Sequence, residues 1–192
     1  MTFKNDTNFR AAARHRQHVC DAHHMAGLNP CSVYNGEISM TNTILRHGTP
    51  ASLTESWARE FSESIEIPPN AATIVLSGVG ALPLNPGAPS DTIEHFGDTR
   101  AQTRSIFDQI SKILLSRGFS MADIVVMQGL FVADPKNGNR PDYKAFSDVY
   151  WEYFGSTQQP HLPTRTRSQI VGLVEPGWLV EVTVTAAKMK VL

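Results

Sequence analysis

The sequence predicts an α+β protein in which a mostly antiparallel sheet of about six strands carries two helices on one face. Three observations predict it. Ile106, Phe107, Ile110, Ile113 and Leu114 recur on a 3.6-residue period and mark an amphipathic helix. Tyr143, Phe146, Val149, Tyr150, Tyr153 and Phe154 mark a second one. Near the C-terminus, Val180, Val182, Val184 and Ala186 alternate with Leu179, Glu181, Thr183 and Thr185, as in a strand with one apolar and one mixed face.

The elements follow in order. Phe61, Ile65 and Ile67 lie on one side of an alternating stretch that Pro68-Pro69-Asn70 breaks. Residues 72–79 form a short apolar run ending at Ser77-Gly78, and a Gly/Pro-rich loop covers 80–90. Asp98 or Thr99 caps the first helix, and Gly118 suits the left-handed residue beyond its end. Residues 124–133 are an apolar run of strand length, 134–141 a polar loop, and 142–154 the second helix with Gly155 as its stop. Strands 165–173 and 178–187 close the chain as a hairpin, with Pro176-Gly177 as the turn. Helices on one side leave the other face of the sheet bare, and a bare mixed face of that size predicts self-association.

Composition narrows the function. A formal net charge of −1 over 192 residues gives no general attraction to nucleic acid or an anionic membrane. No apolar run reaches bilayer length. Both cysteines, Cys20 and Cys31, fall in the first forty residues, so the main domain needs no disulfide and a cytoplasmic location is expected. Residues 1–39 lack a sustained apolar period and read as an extension, poorly ordered or upstream of a true start at Met40; the domain is 40–192. His15, His18, Cys20, His23 and His24 include ligand-like spacings, but only distant Cys31 is left to complete a tetrahedral set, so no metal site is expected.

Four segments in order resemble the Rid family (YjgF/YER057c/UK114), known as imine and enamine deaminases. They are Val75-Leu76-Ser77-Gly78; the helix from Thr99-Arg100-Ala101-Gln102-Thr103-Arg104 to Gly118-Phe119-Ser120; Asp142-Tyr143-Lys144-Ala145-Phe146 through Tyr153-Phe154; and Leu162-Pro163-Thr164-Arg165 with Pro176-Gly177-Trp178-Leu179-Val180-Glu181-Val182. The resemblance implies a chorismate-mutase-like single domain, a homotrimer with clefts between subunits, no cofactor, and a small-molecule carboxylate as substrate. It assigns Arg165 to the substrate carboxylate, a role suited to a planar, permanently charged fork of donors. It assigns Glu181 to the attacking water, and Ser77 and Gly78 to the pocket wall. Gln102 and Arg104 match the family pattern as structural residues.

The departures also bear on function. Phe61 stands where the family has a pocket tyrosine, so a hydroxyl is absent there, and Val79 stands where glutamine is common. Arg167 replaces a small residue and shares a strand face with Arg165. It either holds a second substrate carboxylate, as in a 2-aminomuconate-type substrate, or pairs with an acid of a neighbouring subunit. His161 and Trp178 are candidates for the same rim. In a hairpin turning near Pro176, Glu181 faces position 171 and lies about 17–20 Å along the strand from Arg165, which requires an intersubunit site.

The expected reaction is hydrolysis of an enamine or imine carboxylate to a keto acid and ammonia. A non-catalytic metabolite-binding trimer is the first alternative. An endoribonuclease, a label some family members carry, is disfavoured by the charge balance and the lack of a basic stripe.

Overall fold

The computed structural model describes residues 43–190. The N-terminal extension and its His/Cys cluster lie outside the described residues. The long helices form where the apolar stripes predict them. Helix α2, Thr99–Ser116, follows the one-turn helix α1, Ile93–Phe96. Asp98 caps α2 by accepting from the Ala101 amide at 2.8 Å, and Gly118 beyond its end takes φ +74°. Ile106, Phe107, Ile110 and Leu114 are fully buried; Ile113, at the rim of the stripe, is 40% exposed. Helix α3, Tyr143–Tyr153, is capped by Asp142, which accepts from the Ala145 amide. No helix among the described residues is long and apolar enough to cross a membrane.

The strands depart from expectation. Six form among the described residues, divided between two sheets. Strands β1 (Leu45–His47) and β2 (Ser64–Glu66) pair antiparallel by themselves. Strands β3 (Ala71–Val75), β4 (Ile124–Phe131), β5 (Thr164–Gln169) and β6 (Val180–Met189) make a four-stranded sheet in the order β3-β6-β4-β5. Pro68 and Pro69, between β2 and β3, carry no amide hydrogen for a ladder, so the sheets separate there.

The sheet is mixed, because β5 runs parallel to β4. The chain leaves β4, crosses through α3 and returns beside it, the connection a parallel pair requires. The expected β5–β6 hairpin is therefore absent. Residues 170–179 instead pass over the end of β4, with the Ile170 amide donating to the Phe131 carbonyl and the Val132 amide to the Leu179 carbonyl. Gly177 has a packing role: a Cβ there would lie 2.3 Å from the Thr92 carbonyl oxygen.

Helices α2 and α3 cover one face of this sheet. Val180, Val182, Val184 and Ala186 of β6 and Met127 and Phe131 of β4 are buried beneath them. Ion pairs Arg100–Asp148 (2.5 Å) and Arg104–Glu152 (2.5 Å) join the helices, so Arg104 is structural as expected. Gln102 is fully buried. Its amide nitrogen donates to the Gly97 and Gly177 carbonyls, at 2.8 and 3.0 Å, and its oxygen accepts from the Leu179 amide at 2.8 Å.

The bonds to Gly177 and Leu179 hold the 170–179 loop to α2, the bond to Gly97 ties the helix to the turn before it, and an apolar side chain would leave these backbone groups unpaired. Gln102→Leu is expected to destabilise the domain by about 2–4 kcal/mol and lower the melting temperature by at least about 5 °C. Thermal unfolding followed by circular dichroism checks this; an unchanged midpoint would show the bonds to be dispensable.

Candidate functional site

Register assigns each predicted residue to a face of the sheet. Arg165 lies beside Met127, and Met127 beside Val184; Arg167 lies beside Gly129 and Val182. Laterally paired residues share a face, so both arginines point to the helix-covered side. Glu181 pairs with Leu130, across from Ser168, and points to the open side with Thr183. Arg165 and Glu181 thus lie on opposite faces, two strands and three residues apart, roughly 14 Å between backbones. The hairpin geometry expected from sequence is wrong, because β4 separates the two strands. One small ligand still cannot touch both side chains of a single chain.

On the covered face, α3 supplies the floor. Tyr143, Phe146, Ser147 and Tyr150 recur at helical spacing and turn one stripe towards β5. The Arg165 guanidinium stacks 4.5 Å from the Tyr150 ring centroid and 6.0 Å from that of Phe146, and the Arg167 guanidinium lies 5.4 Å from that of Tyr143. The Arg165 side chain is 2% exposed and the Arg167 side chain 31%.

A carboxylate from the same chain completes the cluster. Glu60 Oε2 accepts from Arg165 Nη2, lies 3.8 Å from Arg167 Nη2, and accepts from Ser147 Oγ at 3.2 Å. Arg167 Nη1 donates to Ser147 Oγ at 3.0 Å. Two guanidiniums therefore share one built-in acid. The other arm of the Arg165 fork, Nη1, and the Tyr150 hydroxyl are buried with no hydrogen-bond partner among the described residues. Burial pushes the Tyr150 phenol well above its ordinary range. Burial first, and the Arg165 charge second, lower the Arg167 pKa.

The segment bearing Glu60 is fixed at both ends. Ser62 donates from its amide to the Pro163 carbonyl (2.9 Å) and from its hydroxyl to the Leu162 carbonyl (2.7 Å). Arg46 on β1 donates to the Ala122, Ile124 and Leu162 carbonyls. Phe61 lines a cavity of about 350 Å³ together with Trp57, Ser62 and Arg165. It also lines a neighbouring cavity of about 360 Å³ with Arg46, Arg59 and His161. Trp178 is elsewhere, over Gly80 with its indole nitrogen donating to the Ala81 carbonyl.

The open face holds the second constellation. Leu76 donates to the Val184 carbonyl, and Val79 exchanges bonds with Val182. Ser77 and Gly78 together therefore oppose the single residue Thr183, which is a β-bulge. The Glu181 carboxylate rests against Gly78, where a Cβ would lie 2.3 Å from Oε1. Any side chain at position 78 would occupy the space of that carboxylate. The resemblance names Ser77, Gly78 and Glu181 separately, and the structure sets the Glu181 carboxylate against Gly78; Glu60, Ser147 and Arg46 are not among the residues the sequence singles out. Ser147 left a trace, as a polar residue within an otherwise aromatic stripe; Glu60 left none.

Comparison with known proteins agrees with this architecture. The family model described as Endoribonuclease L-PSP matches residues 55–188. The 3-aminoacrylate deaminase RutC of Acinetobacter baylyi is 33% identical over 143 residues, covering 74% of this chain and 94% of that protein. The crystal structure of YyfB from Yersinia pestis, a Rid-family protein of unknown function, shares the fold with a TM-score of 0.55 at 21% identity, covering 74% of this chain and 98% of its own. On sequence match and fold together, the chain belongs to the YjgF, or Rid, family whose model carries the L-PSP description.

Proposed function

We propose that this chain hydrolyses an enamine or imine carboxylate to its carbonyl product and ammonia, with Arg165 receiving the carboxylate. The observation that carries the proposal is the Arg165 receptor: a buried guanidinium on an aromatic floor, already holding a carboxylate in the form of Glu60. The relative that acts on 3-aminoacrylate, an enamine with one carboxylate, supports the reaction class. A dicarboxylate of the 2-aminomuconate type is the second reading, favoured by Arg167 on the same face two residues from Arg165.

In the proposed reaction the pinned enamine tautomerises to its imine, the better electrophile. Water oriented by Glu181 adds to the imine carbon, its proton passes to nitrogen, and ammonia leaves as the carbonyl forms. The bulge at Ser77-Gly78 brings backbone groups beside the Glu181 carboxylate, where such a water would bind. Arg165 and Glu181 lie on opposite faces of one sheet, so the working site draws them from two subunits. A homotrimer built on the open face, where Val75 is 74% exposed, meets that need. Positioning and water activation supply the rate enhancement.

Ammonia release from 3-aminoacrylate and 2-aminomuconate tests the reading. Arg165→Lys is expected to lower kcat/KM at least about a hundredfold, since lysine cannot reproduce the planar fork. Glu181→Gln is expected to lower kcat by about 10²–10⁴. Wild-type turnover by Arg165→Lys would remove that residue from the mechanism. Absence of ammonia from either substrate, with Arg165-dependent binding retained, would make the protein a metabolite-binding module.

Gly78→Ala gives an independent check on the open face. The new methyl group displaces the flexible Glu181 side chain but leaves the backbone alone, so kcat is expected to fall about tenfold or more with the melting temperature unchanged. Unaltered turnover would show that the position of the Glu181 carboxylate against the bulge does not matter.

A further inference from the structure

Glu60 occupies the place that the proposed function gives to a substrate carboxylate. Its Oε2 meets Arg165 Nη2, accepts from Ser147 Oγ and lies within ion-pair range of Arg167. The Arg165 side chain is only 2% exposed and Glu60 19%, and the unpartnered Nη1 of Arg165 is buried as well. The Glu60 carboxylate thus holds a guanidinium that is itself almost fully buried. Glu60 follows a single short turn, Ser56–Arg59, while the backbone two residues later is anchored at Ser62. The Glu60 side chain is flexible and partly exposed, and it can rotate without any strand leaving its sheet.

We propose that Glu60 is a resident occupant of the carboxylate site, and that a ligand carboxylate reaches Arg165 by displacing it. The proposal rests on the reading of Arg165 as the substrate receptor. Glu60 then sets both the affinity and the selectivity of the site. A tethered competitor lowers apparent affinity by the fraction of molecules in which it is displaced. It also excludes neutral ligands. Exchange of one carboxylate for another keeps both guanidiniums paired, whereas a neutral group would leave buried charge uncompensated.

The test is calorimetric binding of pyruvate, a stable monocarboxylic keto acid, and of its neutral amide, pyruvamide, to the full chain. Glu60→Gln is expected to bind pyruvate about tenfold more tightly than wild type, while wild type binds no pyruvamide. Ser147→Ala removes one hydrogen bond from Glu60 without altering charge, and is expected to tighten pyruvate binding about two- to threefold. It serves also if Glu60→Gln does not fold. Arg165→Met in the Glu60→Gln background is expected to abolish binding. Unchanged or weaker pyruvate binding in both Glu60→Gln and Ser147→Ala, with Arg165 still required, overturns the resident-occupant proposal and leaves the receptor reading standing. Pyruvate binding indifferent to Arg165→Met overturns the receptor reading itself.

Discussion

Removing the Arg165 guanidinium from water is costly unless its charge is paired and its donors are used. The neighbourhood is arranged around that requirement. Tyr150 and Phe146 offer ring faces, Glu60 offers a carboxylate, and Ser147 bridges Glu60 to Arg167. The cluster draws on three separate parts of the fold. The rings and the hydroxyl come from one stripe of α3, the arginines from β5, and the acid from the segment before β2. The β4–α3–β5 crossover brings the first two together, since it lays the helix across the strand it leads into.

The same crossover governs the separation of the two chemical groups. A hairpin would have made β5 and β6 neighbours. Because β5 returns parallel on the outer side of β4, Arg165 lies on an edge strand of the sheet, under α3. Glu181, on an inner strand, faces the uncovered side beside the Ser77-Gly78 bulge. Each group is held by its own surroundings, and one small ligand cannot reach both within one chain. An edge strand and a bare sheet face are also the two surfaces that ordinarily recruit another subunit.

Much of this was legible in the sequence. The stripes of α2 and α3, the cap at Asp98 and the structural use of Gln102 all follow from local pattern or motif. What the sequence concealed is long-range. The alternating strand at 178–187 looks the same whether its neighbour is β5 or β4, so Pro176-Gly177 was read as a hairpin turn. Tyr143 and Tyr150 belong to the core stripe of α3 and also lie under the Arg167 and Arg165 guanidiniums; the second use is hidden because a ring that packs under a guanidinium has the same periodicity as one that packs under leucine. Glu60 lies 105 residues from Arg165, just past a single short turn with no sustained period, and nothing local marks it as a partner.

Charge balance is the thread that connects the fold to selectivity. With Glu60 in place, the cluster carries two cations and one anion, and Arg165 retains one unpaired donor arm. A buried donor without a partner is a standing cost of about 1–3 kcal/mol, tolerated where function needs a group ready to bind. An incoming carboxylate with two oxygens can engage both arms of the fork, which Glu60 does not do. On the proposed displacement of Glu60, the ligand gains a bond that the resident acid forgoes, and this difference lets a free molecule compete with a tethered one. A fully satisfied Arg165 would be more stable and would have nothing left to offer.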